Sequence, residues 1–523
     1  MSAALFNPRP GMRTMQRSAF LTPRRAGARL LALAALAPMG ACAVGPNYVA
    51  PFRPAEKAYL AHPVTDLGQP GTDEQRQHLT LGAGPDAQWW TRFQSPELNR
   101  TVGLALDSNW SIEAANANLA AADQRVKVAR GGLYPQIDAV GGVADTQYGA
   151  SFLGPEARTF PIFGAATVGL NIKYDLDLFG GTHRRIEQSN AMAAFQREAL
   201  NAVHVSVAEN AVVQAVEIAS VRAQIDALGK VVASDQQTLD LVRAARGVGA
   251  VSDIDVTTAQ SQLDRDRTLL PPLVQRLNAA QDALPLLVGK SPSLWSAPDF
   301  TLASLTLPED LPVAVPSELI RARPDIRAAE SQLHAASAAV GVATADLYPK
   351  VTLSAAISED GVIGGAYGPA WNLFGGLTAP IFHGGALTAQ RRAAEQAYRA
   401  AFAQYQQTVL MSFGQVATTL HALANDAEAV RTQKAALASA DKALRLTRLG
   451  YGVGNAGIVQ VLEAQRLEQL AQFGLVQARA QRYLDTVRFF VVAGGGVEKA
   501  IDQASRHDCR PDRSRPACSL GEL

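Results

Sequence analysis

Two very long stretches of this chain contain no proline. None occurs in the 109 residues between Pro161 and Pro271, nor in the 130 between Pro380 and Pro511. At the chain's own usage, 28 prolines in 523 residues, about 13 would fall there. Proline inside a helix removes a hydrogen bond and clashes with the preceding turn, at about 3 kcal/mol, so its absence marks continuous helix. Both stretches are rich in Ala, Gln and Leu, which favour helix. Each is interrupted once by a related turn. Arg246–Gln260 reads RGVGAVSDIDVTTAQ and Tyr451–Gln465 reads YGVGNAGIVQVLEAQ, identical at 6 of 15 positions. The pattern predicts two helical hairpins tipped by Gly247-Val248-Gly249 and Gly452-Val453-Gly454. The outgoing arms, Gly181–Arg246 and Gly385–Gly450, run for roughly 98 Å at 1.5 Å per residue. The return arms, Asp253 to about Gly289 and Gly457 to Gly494, are shorter, and Pro271-Pro272 with Pro285 predict a break and restart in the first. Helices this long have no place in an ordinary globular domain. Their small-residue stripes suit close packing in a wall.

Other elements recur in the same order. NWSIEAA from Asn109 resembles RPDIRAA from Arg323, and Leu133-Tyr134-Pro135 recurs as Leu347-Tyr348-Pro349, both at a spacing of 214. Gly180-Gly181 recurs as Gly384-Gly385 at 204, and the tip at 205. We read a tandem duplication, 96–300 and 301–496, each copy holding a helix, a β-hairpin and a long helical hairpin. The hairpins are marked by a change of period. Val168, Leu170, Ile172, Tyr174, Leu176 and Leu178 alternate with polar residues or glycine, as do Val351, Leu353, Ala355 and Ile357. Ile137–Gly149 alternates weakly, and Trp371, Leu373, Leu377 and Ile381 form the fourth run. Period two means strands, and runs of about 9–11 residues cross a bilayer when tilted. No segment after the leader approaches the roughly 18 apolar residues of a membrane helix; the longest apolar run is Phe489–Ala493. Any membrane crossing must then be by closed β-structure, since open sheet edges cannot sit in lipid. Barrels need about eight strands at least, so four per chain must be shared between chains. Two chains would give eight strands and a filled interior; three would give twelve and an open bore.

The first 41 residues read as a signal peptide, with an arginine-rich start, an apolar run from Leu30 to Ala37, then Met39-Gly40-Ala41-Cys42. That ending resembles a bacterial lipobox, with Met39 where Leu is usual, and makes Cys42 the acylated first residue of the mature protein. Ala43 after it resembles the outer-membrane sorting pattern. Arg24-Arg25 lacks the rest of a twin-arginine signal, and the long leader leaves Met12 or Met15 as alternative starts. Residues 42–95 read as an extended lipidated anchor that lands on the body at Trp89-Trp90, a pair read as packing rather than as a carbohydrate platform. Residues 497–523 read as a polar, disordered tail, with pairing of Cys509 and Cys518 as the alternative. With 48 basic and 47 acidic residues the chain implies no nucleic acid partner, and its three cysteines form no metal pattern. No cofactor is expected.

Together CAVGPNY from Cys42, RPDIRAAE from Arg323, ADLYP from Ala345, the two Gly-Val-Gly tips and LEAQ from Leu462 carry a resemblance. The chain resembles an outer-membrane factor of the TolC/OprM type, a NodT-like lipoprotein duct of tripartite RND-type efflux pumps, over essentially 42–496. The resemblance implies an α+β membrane protein: a homotrimer whose twelve-stranded outer-membrane β-barrel continues into a twelve-helix periplasmic α-barrel. It also implies a periplasmic adaptor docked on the tips, an inner-membrane pump, and a passive exit duct for toxic small molecules. In the family, residues just past the second tip form an acidic constriction and a tyrosine at the turn belongs to a latch. Tyr451 falls on that tyrosine, Gln460 and Glu463 on the two acidic positions, and Ala456 on the latch arginine of one branch. The chain thus keeps one acid of two and lacks that arginine. Asp253 and Asp255, past the first tip, read either as a supply of the missing charge or as solvated helix-start carboxylates. No Ser/His/Asp or metal cluster recurs, so no enzyme is expected. A coiled-coil envelope tether would not need the strands. A type I secretion duct of the same fold is the closer alternative, the lipobox favouring drug efflux. The cargo is not written in a passive duct.

Overall fold

A computed structural model describes residues 43–51, 58–60, 77–82, 84, 86–147 and 162–495. Cys42, the leader, most of the first hairpin loop, and Cys509 and Cys518 lie outside the described residues. In chain order the elements begin with β1 (His78–Leu81), a short 3-10 turn (Trp89–Phe93), α1 (Pro96–Ser108), α2 (Trp110–Gly131), β2 (Gln136–Thr146) and β3 (Phe163–Leu176). Then come α3 (Gly181–Gly247), α4 (Asp253–Arg267), α5 (Leu270–Leu287), β4 (Asp310–Val313), α6 (Pro316–Ala322) and α7 (Pro324–Ala345). The chain ends in β5 (Lys350–Val362), β6 (Tyr367–Thr378), α8 (Ala386–Gly452) and α9 (Ile458–Val492). The series helix, β-hairpin, long helical hairpin therefore occurs twice, as the recurring motifs predict. Two compact units result, one of sheet and one mostly of helix.

The sheet unit is a four-stranded antiparallel sheet in the order β2-β3-β5-β6. Gln136 pairs with Lys173, Leu176 with Val351, and Lys350 with Thr378. The two hairpins thus join through β3 and β5, leaving β2 and β6 as edges with one neighbour each among the described residues. Neither face is covered: Trp371 is 79 % exposed on one and Phe374 64 % on the other. The strand reading needs correction at two ends. Leu178 lies beyond β3, and Ile381 lies beyond β6, because Pro380 cannot donate to a ladder. Within this unit the Val44 N–H donates to Phe179 C=O at 3.0 Å.

In the helical unit both recurring motifs start a helix. Asn109 caps α2, its side chain accepting from the Ser111 N–H at 2.8 Å. At the matching place Arg323 forks onto the Asp325 carboxylate at 3.0 and 2.8 Å and also donates to Val492 C=O, with Pro324 opening α7. Trp89 and Trp90 are buried, and Trp89 stacks on Phe490 with centroids 5.6 Å apart, so this pair is core packing. Sequence reading missed the parallel pair of β1 with β4. α3 and α8 each hold 67 residues, roughly 100 Å. The first return arm does break, at Thr268-Leu269, and Pro271-Pro272 occupy the opening turn of α5, where the lost N–H costs little. Pro285 does not break it: this residue lies inside α5, two residues before the helix end, and removes a single N–H.

Candidate functional site

The two tips close with one backbone geometry. Gly249 has φ +78° and Gly454 φ +79°. The Ala250 N–H reaches back to Ala245 C=O at 2.9 Å, and the Asn455 N–H to Gly450 C=O at 2.8 Å. This wrap satisfies helix-end carbonyls and requires a left-handed residue, which for a side chain costs about 1–2 kcal/mol. Gly249 and Gly454 supply it; Gly247 and Gly452 lie inside the last helical turn. The valine between each glycine pair is pushed outward, Val248 at 82 % exposure and Val453 at 73 %. Behind the turns, Leu239, Leu263, Leu444 and Val461 pack together, so α3, α4, α8 and α9 all meet there.

Beyond the turns the tips differ. Ser252 caps α4: its hydroxyl accepts from the Asp255 N–H at 3.3 Å, and the Asp255 carboxylate accepts from the Ser252 N–H at 2.9 Å. Asp253 accepts a fork from Arg246 at 2.8 and 3.0 Å. At the second tip Gln460 takes over the carboxylate's place, its Oε1 accepting from the Gly457 N–H at 2.7 Å. Glu463 accepts a fork from Arg466 at 2.9 and 2.6 Å. Arg246 holds Asp253 below the usual carboxylate range, Ser252 does so for Asp255, and Arg466 for Glu463. All three are therefore charged at neutral pH, and all have local partners. Neither arginine partner was singled out from sequence, although Arg246 seven residues before Asp253 and Arg466 three after Glu463 give usable spacing.

Asp253 and Glu463 share one groove of about 560 Å³ between α4 and α9, with Arg265, Arg466, Val459 and Leu462 also lining it. The structure thus brings one acid from each repeat together. Asp255 stands apart from this groove, near Tyr451, whose phenol is raised above its usual range by burial and then by the Asp255 charge. Among the described residues the Tyr451 hydroxyl meets no hydrogen-bond partner.

A second built feature holds the segment just after Cys42. Arg184, buried, donates to Asn47 Oδ1 at 2.8 Å and to Glu187 at 2.6 Å. Tyr48 stacks on His334 at 4.2 Å, and its hydroxyl donates to Glu330 at 3.3 Å. Gly45 lies so close to Gly341 that a Cβ would stand 2.6 Å from the Gly341 Cα. The GPNY motif is therefore a clamp on α3 and α7. Among the described residues no group of three or more metal-ligating side chains occurs, and no helix is long and apolar enough to cross a membrane.

Known proteins share this construction. The chain is 28% identical over 448 residues to the pyoverdine export outer membrane protein OpmQ of Pseudomonas aeruginosa, covering 83% of this chain and 93% of that protein. It is 28% identical over 475 residues to outer membrane protein OprJ of the same organism, covering 88% and 94%. The solved outer-membrane channel OprN superposes with a TM-score of 0.78 at 25% identity, covering 87% of this chain and all of that one. Residues 101–290 and 315–495 match the outer membrane efflux protein family. The paired hairpins, the long helices and these matches agree: the chain belongs to the outer membrane efflux protein family and works as an outer-membrane efflux channel.

Proposed function

We propose that three copies close a twelve-stranded barrel in the outer membrane and a twelve-helix tunnel in the periplasm, forming the passive exit duct of a tripartite pump. The sheet carries this reading. Its apolar side chains are exposed on a four-stranded sheet with two open edges, an arrangement stable in lipid only when other copies pair β2 and β6. Three copies supply twelve strands, enough for an open bore. Tandem duplication accounts for the repeated order of elements. Acylation of Cys42 would tether each copy to the outer membrane, and the clamp on Asn47 and Tyr48 suits a segment pulled by a lipid.

The tips form the closed periplasmic end. Val248 and Val453, set outward by Gly247, Gly249, Gly452 and Gly454, are the apolar knobs that a periplasmic adaptor grips, the adaptor in turn joining an inner-membrane pump. Glu463, with Asp253 across the groove and Asp255 near Tyr451, lines the constriction, where three-fold repetition makes acidic rings that favour cations. Gln460 serves there as a helix cap rather than as a charge. The cargo is toxic small molecules.

Deleting the gene should raise susceptibility across a drug panel and increase retention of a fluorescent efflux substrate. The wild-type gene should restore both. Unchanged susceptibility together with loss of a secreted protein would overturn the drug-efflux reading and assign the duct to type I secretion.

A further inference from the structure

Two buried carboxyls in the first hairpin take no part in the tip contacts. Asp235 on α3 and Asp266 on α4 are 2 % and 4 % exposed, and their carboxyls lie within hydrogen-bonding reach of each other. Two ionised carboxylates offer each other only acceptors. Asp266 is otherwise supplied, Gln262 donating at 2.8 Å and Gln469 of α9 at 3.3 Å. Asp235 Oδ2 meets no donor. From α8 the facing charge is Arg448, which is spent on the Ser234 hydroxyl and also acts on Glu468. From α9 the facing side chains are the neutral Gln465, bonded to Ser234 and Thr238, and Gln469. A buried acid beside a buried acid, with the one facing cation bonded to Ser234, is satisfied when one proton sits between them. Burial, and then Asp266, pushes the Asp235 carboxyl up to about 8.

The position gives the pair leverage. Asp266 stands next to the last residue of α4, just before the break at Thr268-Leu269. Asp235 precedes Gly247 by twelve residues, roughly 18 Å. The segment from tip to break is thus a short helix separated from α5 by two residues, Thr268 and Leu269, and the carboxyl pair pins its far end to α3. We propose that Asp235 and Asp266 share one proton and act as a proton-operated clasp that positions the α4 tip segment against α3. The second hairpin has a buried pair too, Asp426 with Asp485, but Arg482 and Arg488 flank it, and α9 is unbroken.

The sign follows from the direction of the shift. An acid raised by its folded surroundings holds fully below the ordinary aspartate range and weakens as pH rises toward about 8. The tip carboxylates Asp253, Asp255 and Glu463, all lowered, work the other way and let go only in acid. The clasp is therefore an alkaline release.

Hydrogen exchange of peptides covering 247–267 tests it in the purified full-length protein in detergent, at pH 6 and pH 9, with rates corrected for intrinsic exchange. Wild-type opening should rise about tenfold or more. Asp235→Asn puts an N–H donor where the acid proton sat and should keep opening low at both pH values; Asp266→Asn should do the same should the first variant fold poorly. Equal wild-type opening at both pH values would overturn the clasp. So would Asn variants that keep the wild-type rise, or EDTA reproducing that rise at pH 6, which would replace the proton by a divalent cation. Any effect on conduction rests on the tips being the closed end, whereas the exchange result does not. pH-dependent exchange with pH-independent conductance would retain the clasp and sink the gate.

Discussion

Helices α3 and α8 have the same length and occupy matching places in the two repeats, yet their surroundings are opposite. α3 buries 25 of its 67 residues, with Ala208, Ala211, Val212, Ala215 and Val216 fully enclosed, whereas α8 buries 10 of its 67. Leu410, Met411, Leu446 and Leu449 on α8 stay exposed. Length is shared, and packing is not. α3 has its neighbours within the chain; α8 keeps an apolar surface exposed. The return arms carry the contrast on: α4 and α5 are separated by a break with a carboxyl pair beside it, while α9 runs unbroken for 35 residues.

The strongest way to break this comparison is to truncate each helix once. Leu228→Ala, in the α3 interior, should destabilise the folded chain by about 2–5 kcal/mol, read as a lowered thermal midpoint. Leu410→Ala should leave the protomer folded and weaken only the resistance of the oligomer to detergent dissociation. Equal losses in both assays would erase the distinction between inner and outer helix. Next come the tips, whose equal φ predicts equal behaviour. Gly249→Val and Gly454→Val should each cost about 1–2 kcal/mol locally and abolish efflux while assembly persists, and Gly247→Ala, in a helical turn, should be harmless. Normal drug resistance in both valine variants would remove the tips from docking.

A smaller effect separates the caps. Ser252→Ala loses a side-chain cap worth about 1 kcal/mol and should speed amide exchange at the start of α4. The start of α9, capped only through Gln460, should be unaffected. Tyr451→Phe should leave stability unchanged or raise it by about 1 kcal/mol, because the buried hydroxyl it removes has no partner among the described residues. A large loss there would reveal a latch partner on another copy.

Much of this was legible in the sequence because it is periodic or punctuated. Absent proline marked the helices, alternation marked the strands, and paired glycines marked the turns. What escaped has no period. His78–Leu81 and Asp310–Val313 are too short to alternate visibly, and each becomes a strand only through the other, far away in the chain. Asp235 and Asp266 sit among Gln, Arg and Asp residues of solvated helix faces, and only the packing of four helices distinguishes them from their neighbours. The carboxylates at the tips were found because they lie beside the glycines, but their arginine partners were not, since an ion pair on a charged helix end leaves no mark of its own.

The central claim is that the doubled tip is the closed end of a duct, lined by acids from both repeats. Single-channel recording in planar bilayers addresses it directly. Glu463→Ala combined with Asp255→Ala should raise conductance and weaken cation selectivity relative to wild type. Unchanged conductance and unchanged selectivity would contradict it.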